Sequence, residues 1–123
     1  MRIHNGVSAE DLMTITVQNN ILDGDTDDIL VGDYIVVTGG YNCLVNDGSV
    51  GVGTGSTYNG AANDLYATDP KFIDPANDDF RLNPHSLCVN AGTAVGLLID
   101  YLGLMIRHAP DIGAHENQTN AIF

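Results

Sequence analysis

The stretch DGDTDDILVGD holds Asp23, Asp25, Asp27, Asp28 and Asp33. Acids at alternate positions have the spacing of the first half of a calcium loop, where several oxygens must converge on one hard cation. The sixth position is Asp28 where such a loop needs glycine, and the twelfth is Tyr34 where it needs a bidentate glutamate. That excludes a calcium-binding hand. Asp23, Asp25 and Asp27 remain as a looser candidate for Ca2+, beside the plainer reading of solvated turn acids. Asp69/Asp74 and Asp78/Asp79 are carboxylate pairs of the kind that cleave glycosidic bonds or hold the cation of a lyase. His4, His85, His108 and His115 are scattered, and only RHAPDIGAH brings two close together. Ser49, Ser56 and Ser86 lack the strand-to-helix context of an activated nucleophile. GVGTGSTYNG lacks the lysine of a phosphate-binding loop. Tyr34, Tyr41, Tyr58, Tyr66 and Tyr101 offer rings for stacking on sugars, and the first four make up the candidate glycan-binding set.

These residues need elements to position them, and composition says which kind. Sixteen acids against four bases give a formal charge of −12, a surface that repels phosphate backbones and excludes nucleic acid as a partner. No apolar run approaches the roughly 20 residues that span a bilayer, so membrane insertion is not expected. Cys43 and Cys88 sit among apolar neighbours without a CxxC spacing, and read as two buried thiols rather than a disulfide. Aspartate, asparagine and glycine are abundant, while glutamate occurs only at Glu10 and Glu116. An acidic helical protein would use glutamate, whereas Asp, Asn and Gly favour tight turns between short strands.

A repeat sharpens that reading. ITVQNNILDGD (15–25) aligns with VTGGYNCLVND (37–47) at an offset of 22, matching Thr16 with Thr38, Asn20 with Asn42, Leu22 with Leu44 and Asp25 with Asp47. Ile15 faces Val37, and Ile21 faces Cys43. A period in the low twenties is that of a repeat architecture, with apolar columns inside and Asn20 stacked on Asn42 at a bend. An antiparallel sandwich is the alternative. A third copy is hard to find, and the glycine-rich residues 48–64 read as a long loop. Residues 94–106 are the one helical candidate, interrupted by Gly96 and Gly103.

ATDPKFIDPANDDFRLNPHSLCVNAGT, followed by DYLGLMIRHAPDIGAHE, resembles the C-terminal segment of secreted right-handed parallel β-helix repeat proteins. That segment reads roughly as DPxFxDPxxxDFRLxxxSPxIDxG, then D-x-x-G-x-x-R, then DIGAYE. The likeness covers residues 65–116, and departs at Leu87, Asn90 and His115. It implies an all-β fold, a short right-handed parallel β-helix of three to four coils ending in a capping segment. One domain is expected, with a leader (1–12), coils (13–64), a terminal coil and cap (65–116) and a tail (117–123). Asp69, Phe72, Asp74, Asp79, Phe80, Arg81, Arg107 and Asp111 are then structural cap residues. Phe72, Phe80 and Leu82 would lie over the last coil, and Arg81 and Arg107 would pair with carboxylates among Asp79, Asp100 and Asp111.

The expected function is a non-catalytic module with a structural or interaction role, with a glycan or a protein as ligand and no cofactor unless Ca2+. The competing expectation is a remnant or subunit of a polysaccharide lyase or glycoside hydrolase. A stack capped at one end alone predicts self-association through its uncapped N-terminal end. The resemblance implies a secreted or surface protein, whereas MRIHNGVSAED does not read as a signal peptide, so localisation stays open.

Overall fold

The computed structural model describes residues 1–3, 12–46 and 48–118. Most of the leader, with His4, as well as Asp47 and most of the tail, lie outside the described residues. The chain is all-β. Its strands are β1 (Arg2–Ile3), β2 (Met13–Gln18), β3 (Ile21–Leu22), β4 (Ile29–Val31), β5 (Ile35–Gly40), β6 (Cys43–Leu44), β7 (Val50–Val52), β8 (Thr57–Tyr58), β9 (Leu65–Tyr66), β10 (Phe72–Asp74) and β11 (Asp79–Leu82). Short 3-10 turns occupy Ala61–Asn63 and Pro75–Asn77. Among the described residues no helix is long and apolar enough to cross a membrane.

The chain visits three parallel sheets in rotation, ordered β1-β4-β7, β2-β5-β8 and β3-β6-β9. The repeat read from the sequence is the register of the pairing: Ile15 pairs with Val37, Thr16 with Thr38, Ile21 with Cys43 and Leu22 with Leu44. Inward side chains of all three sheets meet in one cluster of Val17, Ile29, Val31, Ile35, Val37 and Leu44, flanked by Ile15, Leu22, Val50 and Tyr58. Each such side chain fully buried contributes roughly 1.5–3 kcal/mol.

Two sequence expectations are corrected here. Residues 48–64 are not a long loop, because β7 and β8 within them add a third strand to two sheets. Val37 pairs with Tyr58, 21 residues on, whereas Cys43 pairs with Leu65, 22 residues on. The turn at Ala61–Asn63 supplies the extra residue, and this shift hides the third copy from a fixed-offset alignment. Residues 94–106 form no helix. Ile99 bridges Met105 in antiparallel fashion, with Ile106 N–H donating to Leu98 O and Asp100 N–H to Leu104 O. Gly96 and Gly103, at φ +79° and +80°, adopt the left-handed conformation that ends regular helix.

The C-terminal segment runs along a sheet face. Alternate residues of the third sheet point to opposite sides, so Leu22 and Leu44 join the inner cluster while Ile21, Cys43 and Leu65 face outward. Against that outer face pack Leu82, Cys88 and Ile112, bordered by Phe72, Val89 and Ala91. The chain returns to the first strands: Gly113 N–H donates to Asn19 O, and the Asn19 amide donates to Thr93 O and accepts from Thr93 N–H. The expected layer of Phe72, Phe80 and Leu82 over a final coil is thus replaced by a side-on layer, because Ile21, Cys43 and Leu65 form an apolar strip that needs cover.

Candidate functional site

At the bend before the third sheet, three polar side chains stack at the repeat spacing. Asn42 Oδ1 accepts from Asn20 N–H at 3.1 Å and from Asn20 Nδ2 at 3.2 Å. Asp64 Oδ1 in turn accepts from Asn42 N–H at 2.8 Å and Nδ2 at 3.2 Å. The Asn20–Asn42 contact is the one expected from the repeat, and Asp64 continues it. The Tyr58 hydroxyl donates to Asp64 Oδ2, and burial, followed by this bond, pushes the phenol above its ordinary range. This ladder fixes where Asn19–Ile21 emerges, which matters because that bend forms one wall of a cleft.

The cleft, of about 990 Å3, lies between this bend, the hairpin β10–β11 and residues 101–102 and 112–115. The hairpin forms because Asp74-Pro75 starts a turn and Asp78 closes it at φ 60°, a conformation aspartate tolerates. It presents Phe80, set edge-on to Phe72 at 5.3 Å between ring centres. Arg81 and Asp79 form a bidentate pair, Nε to Oδ1 at 2.8 Å and Nη2 to Oδ2 at 2.6 Å. The Arg81 guanidinium holds the Asp79 carboxyl down to about 2, with His115 nearby adding to the effect, and Arg81 is raised in return. On the opposite wall Tyr101 is 79% exposed, its ring 5.6 Å from that of His115. His115 Nδ1 is buried with no hydrogen-bond partner. The wall is held by acids: Asp100 accepts from Leu102, Leu104 and Glu116 N–H, and Glu116 Oε1 accepts from Asp111 N–H. Asp111 is buried and accepts from Asn90 N–H at 2.7 Å and Asn117 N–H at 2.5 Å. Burial raises both the Asp111 and the Glu116 carboxyls.

The cleft gathers Phe72, Asp79, Phe80 and Arg81 from the expected cap residues, while Asp69 and Asp74 turn to their own loops, accepting from Lys71 N–H and Asn77 Nδ2. Arg107 does not pair with a carboxylate among the described residues; its Nη2 lies 3.9 Å from Met105 Sδ. Asp100 and Asp111, its expected partners, have their oxygens occupied by backbone N–H groups. The four candidate tyrosines are distributed. Tyr34 and Tyr41 occupy left-handed bends, Tyr58 borders the inner core and Tyr66 is exposed beside Gly48. Asp23 and Asp25 are exposed on their turn, and Asp27 lies beside Gly51. Among the described residues no three His, Cys, Asp or Glu side chains are grouped to hold a metal ion. The organising acid of that stretch is Asp28, fully buried, accepting from Gly24, Asn46 and Gly48 N–H. Sequence reasoning missed Asp64 and the place of His115 beside Tyr101, whose ring it had named for stacking on sugars; Asp64 carries a signal, since it lies 22 residues after Asn42.

Comparison of the chain with protein-family models, curated proteins and solved structures finds no match.

Proposed function

We propose that the chain is a non-catalytic interaction module built as a short right-handed parallel β-helix, and that its cleft holds a glycan. Strands pairing in rotation, a register near 22, a shared inner core and a stacked amide at one bend support the β-helix. Parallel crossovers are right-handed in about 98% of cases, which supports the hand. The observation that carries the ligand class is the pairing of Phe80 and Tyr101 rings with a fixed guanidinium–carboxylate pair in one cleft. Sugar rings present C–H faces to aromatic rings and hydroxyls to planar polar groups. Asp79, held down to about 2, stays an anion and is unsuited to donate a proton to a leaving group.

An oligosaccharide panel followed by calorimetry on the best binder tests this. Tyr101→Ala and Phe80→Ala should each weaken binding roughly tenfold. A panel without a binder, or variants that bind like the parent, would sink the proposal. Release of reducing ends or unsaturated sugars, lost in His115→Gln, would replace it with the lyase or hydrolase reading.

A further inference from the structure

Two buried nucleophiles take no part in the cleft. Cys43 stands on β6 and Cys88 on the layer that covers it, both fully buried in one apolar cluster with Leu82 and Ile112. Their thiols are free and share a hydrogen bond. Both backbones are anchored. Cys43 N–H donates to Asn20 O at 2.8 Å, Cys88 N–H donates to the Ser86 hydroxyl at 3.1 Å, and Cys88 O accepts from Ile112 N–H at 2.9 Å. Among the described residues no third His, Cys, Asp or Glu side chain joins them to hold a metal ion. Two thiols in contact on separately anchored segments need only side-chain rotation and a small approach to reach the about 2.05 Å of an S–S bond. We infer that Cys43 and Cys88 are a redox pair that closes to a disulfide, joining the C-terminal layer covalently to the third sheet.

The two thiols are not equivalent. Cys43 S–H donates to Thr68 O at 3.3 Å, and its hydrogen bond with Cys88, followed by burial, pushes the Cys43 thiol up. Cys88 is pushed down, first by the bond with Cys43 and further by one with the Ser86 side chain. Cys88 is therefore the thiolate that attacks, and Cys43 the thiol that resolves. The co-reactant is a low-molecular-weight disulfide such as oxidised glutathione. Cys88 sulfur bonds to one glutathione sulfur, and the other glutathione leaves as a thiolate. Cys43 then loses its proton, and its sulfur displaces the bound glutathione from Cys88 as the S–S bond forms. Two protein thiols are oxidised while one glutathione disulfide is reduced to two thiols, so the exchange balances. Access comes with transient opening of the layer, since neither sulfur is exposed. Neither cysteine lines the sugar cleft, so the pair and the proposed ligand site can be tested apart.

The test is to incubate the unaltered chain in excess oxidised glutathione without denaturant, then quench and alkylate it in urea. Intact mass should show a single chain lighter by two hydrogens and carrying no alkyl group, and peptide mapping should show one crosslink, Cys43 to Cys88. The closed form should melt roughly 10 °C above the reduced form and return with dithiothreitol, because closing a loop of about 45 residues restricts the unfolded chain. Cys43→Ala and Cys88→Ala, checked by far-UV circular dichroism to fold, should show no such gain. Two alkylated cysteines, a lasting mixed disulfide with glutathione on the unaltered chain, or crosslinks between chains would overturn the inference. So would a closed form that melts no higher than the reduced one, or a gain that persists in either variant.

Discussion

At the scale of single residues, Asn42 shows how much one amide can hold. Fully buried, it joins Asn20, Asp64, Val17 O and the Tyr58 hydroxyl. Asn42→Leu keeps the branched shape but strands these donors and acceptors, and should cost about 2–3 kcal/mol in urea unfolding. Asn42→Asp should be worse than its size suggests, because it sets a second carboxylate against Asp64. The acids of the cleft wall predict a pH dependence. Asp111 and Glu116 are raised by burial, so the folded chain holds protons that the unfolded chain has released. Their contribution is full at low pH and is lost as pH rises through the raised folded values. Asp79 acts in the opposite sense: its pairing with Arg81 stabilises above the ordinary carboxyl range and is lost as pH falls toward about 2. Thermal unfolding should therefore give a higher Tm near pH 5 than near pH 7.5, then a fall in stronger acid. A Tm that climbs steadily to pH 7.5 would contradict the burial of Asp111 and Glu116.

At the scale of elements, β2 and β5 approach so closely that β5 needs glycine. A Cβ on Gly39, at φ +122°, would stand 2.2 Å from Val17 O. Gly39→Ala should destabilise by about 3 kcal/mol or prevent folding, since strain and clash coincide. The side-on layer makes its own prediction through its cysteines. Cys43 and Cys88 are buried free thiols, and the Cys43 thiol is pushed up, first by its hydrogen bond with Cys88 and then by burial. Neither should react with a thiol-exchange reagent until the layer opens, so their modification should track the unfolding rate. Rapid labelling under native conditions would mean that residues 82–112 leave the sheet readily.

At the scale of the whole molecule, the three sheets and the C-terminal layer share one sheet as a common wall. Ending the chain after Thr68 would uncover Ile21, Cys43 and Leu65. Such a chain should bind an apolar dye and unfold without cooperativity; a sharp, dye-silent transition would show that the sheets stand alone.

The legible part of this protein is periodic. Alternation in MTITVQ, turn residues in place of glutamate, and the match of Asn20 with Asn42 record the strand class, the register and the ladder. Each signal lies within one or two repeats, where a buried face leaves its mark on neighbouring residues. The third copy was lost to one inserted residue, and in β7 a short Val-Gly-Val run amid glycines pairs with β4. For the cleft, the sequence had singled out Phe80, Arg81 and Asp79 without placing them opposite Tyr101 and His115. Tertiary structure alone decided that the C-terminal segment lies along a sheet and that the hairpin β10–β11 stands across a cleft from Tyr101 and His115. The reason is distance along the chain. Asn19 meets Thr93 across 74 residues, and no local pattern of hydrophobicity encodes which surface a distant segment will cover.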